Sequence, residues 1–268
     1  MKNRAFTAAM ILVFLLVSAG WAQDQGREFH WQGKLRANQI LAIKNTNGDI
    51  DAKSTSGDQA QVMAEKSGPR AEQIKIEVVP SSEGVTICAV YPSNVFGGSS
   101  SGKCDSGGHW NSSNVGGNQT KVHFTVLVPQ NVRFTGTNVN GGINAEDMHG
   151  EVRANTVNVS VNVSTTSWAE VTTVNGSVHA SMGDAAWKGS LKISSVNGAI
   201  ELRMPDDLNA DVSFNSVNGS LSSDFPLTIS SNWPVGHTAK GQVGRGGREL
   251  VIQTVNGSVQ LRKGGAGI

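Results

Sequence analysis

The chain has 268 residues, 32 of them Gly, with 38% hydrophobic and 16% charged residues and a formal net charge of +1. Its few Lys and Arg are scattered, so it lacks the electrostatic footprint that nucleic acid or an acidic membrane surface would require. The hydrophobic residues recur at regular positions, which a disordered Gly/Ser/Asn-rich chain does not need.

At the start, Lys2 and Arg4 precede an apolar run from Ala8 to Val17, and the small residues Gly20 and Ala22 stand before Gln23. This pattern predicts a secretory signal peptide over residues 1–22, cleaved after Ala22. The run is about half the roughly 20 residues a spanning helix needs. No later segment is apolar enough to span, so no membrane span is expected after cleavage. No Cys follows the run, which argues against a lipoprotein anchor. The expected locations are periplasm, outer cell surface or extracellular medium.

Residues 23–130 read as an N-terminal β portion, with strand-like segments at 40–44, 58–66, 73–79, 84–90 and 121–128. Between the last two, residues 91–119 form a Gly/Ser-rich loop that is long for a compact domain. Within it Tyr91, Phe96, His109 and Trp110 make a candidate binding loop, in which rigid aromatic contacts mix with adaptable polar ones. The plainer alternative is a disordered insertion. Cys88 on the preceding strand and Cys104 in the loop are the two cysteines of an exported chain, and most simply form a disulfide. Free thiols or an intermolecular bridge are the alternatives. With only His109 nearby they lack zinc-motif spacing, and no metal or cofactor is expected.

From 131 to 263 the chain becomes an array, followed by a short tail at 264–268. One word recurs, at Asn47-Gly48, Asn140-Gly141, Asn175-Gly176, Asn197-Gly198, Asn218-Gly219 and Asn256-Gly257, with a seventh copy in which Val159 follows Asn158. Between Asn140 and Asn218 the unit is about twenty residues, a repeat signature. The step from Asn218 to Asn256 is close to two units. After each Asn, apolar and polar residues alternate, as in Ile200, Glu201, Leu202 and Arg203, and the same period of two precedes it. The Val just before the Asn breaks that phase.

A two-residue hairpin at Asn-Gly would pair Val174 with Ser177 and Thr173 with Val178, mixing polarity on both faces against register logic. A coil corner removes the conflict, because equivalent residues then stack from coil to coil. The expected fold is all-β: a β-solenoid, a β-helix-like stack of Val-Asn-Gly coils, with an irregular N-terminal β portion. The Asn should form a ladder, and Gly176, Gly198 and Gly219 should occupy positive φ. The N-terminal portion should cap one end of the stack and the polar tail from Arg262 should blunt the other.

The stretch KVHFTVLVPQNVRFTGTNVNGGI, the successive Val-Asn-Gly units and GGRELVIQTVNGSVQL near the end together resemble the bacterial putative-adhesin family of β-strand-repeat proteins, a domain of unknown function. The resemblance covers residues 121–263 and more loosely 38–90. It implies a β-solenoid-like envelope or secreted protein and carries no catalytic residues.

The acidic clusters Glu146, Asp147, His149, Glu151 and Asp206, Asp207, Asp211 would fall three coils apart, about 15 Å, too far for an acid/base pair. They read as solvated turn charges. The expected function is non-catalytic binding of an envelope, surface or glycan ligand. The alternatives are a polysaccharide-active β-helix enzyme and a self-associating structural component of the envelope.

Overall fold

The computed structural model describes residues 21–91, 104, 119–231 and 237–266. Their strands form two sheets of eleven strands each. Each coil lays one strand in the first sheet, turns a corner at the repeated word, and lays the next strand in the second. Thus Ala169–Asn175 continues into Val178–Met182, and Ser190–Asn197 into Ile200–Met204. Equivalent strands pair in parallel, with Val171 opposite Ile193 and Val178 opposite Ile200. The strands flanking Asn-Gly belong to different sheets, so the word is a corner and not a hairpin.

The alternation fills the space between the sheets. Ile143, Val161, Val178, Ile200 and Val259 line the second sheet's inner face, and Leu191, Ile193, Leu250 and Ile252 that of the first; all are 0–1% exposed. At roughly 1.5–3 kcal/mol per fully buried aliphatic side chain, these rows are the main source of stability.

Coil order in space departs from coil order in the chain. The coil Glu249–Asn256/Val259–Lys263 is inserted between Ser190–Asn197/Ile200–Met204 and Ala210–Asn218/Leu221–Ser223. Likewise Ile40–Lys44/Ile50–Thr55 sits between Arg133–Thr137/Ile143–Met148 and the pair Gly84–Val90 and Lys121–Pro129. The 38-residue step is therefore a coil plus an excursion. The excursion holds the antiparallel strands Thr228–Ser231 and His237–Val243, which cover the first sheet's edge at that end. These two strands, and not the polar tail, cover the first sheet at this end, because Val259–Lys263 has neighbours on both sides and the second sheet ends on Leu221–Ser223. At the opposite end antiparallel strands Trp21–Gln25, Glu28–Lys34 and Gln59–Ser67 continue the second sheet. Pro80 lies on the first sheet's edge strand Lys75–Ser81, where a missing N–H blunts further pairing. Apart from Trp21 and Ala22, the expected leader lies outside the described residues.

The corner explains the spelling of the word. Asn218 Nδ2 donates to Asn256 Oδ1 (2.9 Å), Asn256 to Asn197 (2.7 Å), Asn197 to Asn175 (2.8 Å), Asn175 to Asn158 (3.1 Å), Asn158 to Asn140 (2.7 Å) and Asn140 to Asn47 (2.8 Å). All the bonds point the same way, so successive amides polarise one another. Two residues before the Asn, an inward hydroxyl caps a corner carbonyl of the neighbouring coil: Thr156 to Gly141 (2.9 Å), Thr173 to Val159 (3.1 Å), Ser195 to Gly176 (2.9 Å).

The Gly has a different reason from the expected one. Among the corner glycines only Gly48 has positive φ, at 101°. A Cβ on Gly176 would lie 2.3 Å from Val159 O, on Gly198 2.0 Å from Gly176 O, and on Gly219 1.9 Å from Gly257 O. Gly is required because one coil's backbone rests on the next, not because of its own dihedral. Val159, which stands in the Gly place of the Asn158 corner, is 37% exposed.

An isosteric Asn197→Asp change tests the ladder. It keeps one acceptor for Asn256 but sets an oxygen against Asn175 Oδ1, so thermal unfolding should show a loss of about 1–2 kcal/mol, whereas Asn209→Asp, outside the ladder, should lose less.

Candidate functional site

The outer face of the second sheet and the corner of the first differ in chemistry. On the second sheet, charged and polar side chains bind one another. Asp51 sits between His123 (3.2 Å) and Asn144 (2.7 Å), and Glu201 between His179 (3.5 Å) and Arg203 (2.7 Å). A β-bulge between Ala145 and Met148 turns Glu146 and Asp147 both outward. Asp147 has φ 52° and its N–H donates to Ser164 Oγ at 2.8 Å. A shallow hollow of about 270 Å³ opens beside them. Glu146 and Glu201 lie three strands apart, about 14 Å, beyond the separation of paired glycosidase carboxylates. Among the described residues no group of three or more His, Cys, Asp or Glu could hold a metal ion.

The corner of the first sheet is different. The Val before five of the seven Asn faces solvent: Val157 36%, Val174 36%, Val196 38%, Val255 37% and Val217 42% exposed, in stack order. These five make an apolar ridge about 19 Å long at one strand spacing per rung. It explains the broken phase, since a residue at the bend leaves the inner face. Along one flank runs the Asn ladder. Along the other, Thr172, Ser194, Gln253 and Asn215 occupy one register row. A hollow of about 540 Å³ lies between the Val row and this hydroxyl and amide row. Asn140, Asn158, Asn175, Asn197, Asn256 and Asn218 each use one amide N–H in the ladder, and a primary amide carries two.

The Toastrack family model, DUF4097, matches residues 32–262. The chain belongs to the Toastrack family. No curated protein matches it. Among solved structures, this Toastrack chain is similar to a putative cell adhesion protein from Clostridium sporogenes, with 9% identity over 88% of this chain and 99% of that one, TM-score 0.44. It is also similar to a putative adhesin from Bacteroides fragilis, with 11% identity over 89% of this chain and 98% of that one, TM-score 0.36.

Of the loop residues singled out from sequence, Tyr91 is fully buried. It extends the inward row of Ile87 and Ala89, and its hydroxyl lies 3.0 Å from Asn47 O and 3.2 Å from Asn45 Oδ1. Burial holds its phenol protonated, well above the usual tyrosine value. Tyr91 therefore completes the Asn47 corner and cannot touch a ligand. Cys88 and Cys104 form a disulfide, Cα–Cα 5.8 Å. Phe96, His109 and Trp110 lie outside the described residues. Sequence reasoning missed the Val ridge, although a Val at the same offset in six of the seven copies, out of phase with the strand, was the available signal.

Proposed function

We propose that this Toastrack chain is an exported, non-catalytic binding protein of the cell envelope that engages an extended, uncharged glycan along its Val ridge. The observation that carries this reading is the ridge itself, five apolar rungs in line between two polar rows. A glycan chain offers alternating C–H faces and hydroxyl edges, which match Val methyls beside Asn amides and Thr or Ser hydroxyls. The surface is long and shallow, as suits a polymer rather than a small substrate; no charged side chain stands in the Val or Asn rows, and Lys192 is the one charged residue lining the hollow beside them.

Binding to a panel of soluble envelope and surface polysaccharides tests this. Val196→Lys with Val255→Lys should lower affinity for any bound glycan at least about tenfold, through the cost of a desolvated charge, with the unfolding midpoint nearly unchanged. Undiminished binding by the double variant would reject the ridge. The loop is a second reading, favoured by the disulfide that fixes Cys104 beside the first sheet. Deleting residues 93–118 should then abolish binding that the Lys pair leaves intact.

A further inference from the structure

We infer that the C-terminal coil, Glu249–Lys263, is an exchangeable insert through which two copies of the chain associate. The first ground is topology. This coil is last in the chain, yet both strands lie between coils that precede it. Glu249–Asn256 is in parallel register with Ser190–Asn197 on one side and with Asp211–Asn218 on the other. Val259–Lys263 similarly pairs with Ile200–Met204 and Leu221–Ser223. The slot must therefore be open until the last coil arrives.

The second ground is the seat. In the regular coils the inward hydroxyl caps a neighbouring corner carbonyl. Thr254 Oγ1 and Ser216 Oγ are the two buried side-chain polar atoms without a partner among the described residues, and they belong to the inserted coil and the coil beyond it. The capping bond made at Thr156, Thr173 and Ser195 is lost at both new contacts. Each orphaned hydroxyl is a cost that the uninterrupted array does not carry. The insert is thus held by ladder bonds and apolar rows but lacks this fixed register pin.

The third ground is the hinge. Residues 244–248 connect Val243 to the insert, with Gly244, Gly246 and Gly247 at φ 59°, 68° and 103°. Residues 244–247 are fastened by exposed contacts: Arg245 N–H to Asn209 Oδ1 (2.8 Å), Gly247 N–H to Asp211 Oδ2 (3.0 Å) and Gln242 Nε2 to Arg245 O (3.2 Å). Arg248, at the end of the hinge, donates from Nε to Trp187 O (3.1 Å) and accepts from Asp211 N–H (2.7 Å), contacts that a second copy's slot also supplies. Water replaces such bonds at little cost, and Gly permits the extended form equally well. A second copy offers an identical slot, so exchange keeps every contact of the coil and changes only the hinge. The product is a closed two-fold dimer joined at the C-terminal ends of both stacks. Five extended hinge residues span at most about 17 Å, so the two ends must meet closely.

Engineered cysteines read this directly. Ser194 and Gln253 are register partners across the slot, within the Cα range of a disulfide. A Ser194→Cys chain is mixed with a Gln253→Cys chain, held a few degrees below melting, then oxidised. The expected result is a mixed disulfide-linked dimer whose fraction rises about tenfold per tenfold rise in total protein while it is scarce. Asn209→Ala with Asp211→Ala in both chains should raise its yield several-fold. A Ser194→Cys/Gln253→Cys double variant should close the bond within one monomer. Closure in the double variant with no mixed dimer at any concentration would overturn exchange, and failure to close would overturn the register on which it rests.

Discussion

Gly198→Ala is expected to destabilise the protein by about 3 kcal/mol, the upper end for overpacking, although Ala ordinarily favours folding over Gly. The added Cβ would stand 2.0 Å from Gly176 O and 2.5 Å from its carbonyl carbon. These are backbone atoms of a coil already fixed on both sides, so relief requires the coils to part and Ser195 to release Gly176 O. Gly198 lacks positive φ, so dihedral strain predicts almost no effect, and the substitution separates the two explanations. Val159→Gly, at the corner that carries no Gly, should cost less than about 1 kcal/mol. Denaturant unfolding of both variants checks this, and a Gly198→Ala loss below that of Val159→Gly would remove close approach as the reason for the repeated Gly.

Asp24→Asn should cost about 3 kcal/mol, the lower end for breaking a buried ion pair. The Lys66 side chain is 1% exposed, and its ammonium is held by Asp24 Oδ1 (2.8 Å), Asp24 Oδ2 (3.1 Å) and Ile74 O (3.1 Å). Without the carboxylate a buried cation keeps one carbonyl as its described partner. Asp24 itself is 43% exposed, which places the estimate at the lower end. Lys66→Met in the Asp24→Asn background removes the cation and should restore most of the loss. Equal stability of Asp24→Asn and the native chain would show that the charge escapes to water.

Period-two alternation and the conflict it creates in a hairpin were enough to read the corner, the stacked rows and the Asn ladder from sequence. Coil order was not legible, since every coil presents the same word and Asn256 is as good a neighbour for Asn197 as Asn218 would be. The spacing from 218 to 256 fitted two regular units and a hairpin excursion equally. Gly conformation was misjudged because sequence reports what Gly permits, whereas here the need arises from the backbone of the adjacent coil. Tyr91 was placed with the loop by composition, although the alternation Ile87, Ala89, Tyr91 already continued the strand inward. The Val ridge was visible only as an exception to the pattern.

The stacking of one coil on the next is tested most directly by a distance between spin labels on Lys53→Cys and Arg262→Cys, with the native disulfide intact. Lys53, Glu146, Arg203 and Arg262 share one outward row of the second sheet, and five strand intervals separate its ends. Pulsed electron resonance should therefore give one narrow distribution near about 24 Å, broadened by the label arms. A separation well beyond that, or two populations, would contradict a single stack in which the coil of residues 40–55 and the inserted C-terminal coil occupy the places described.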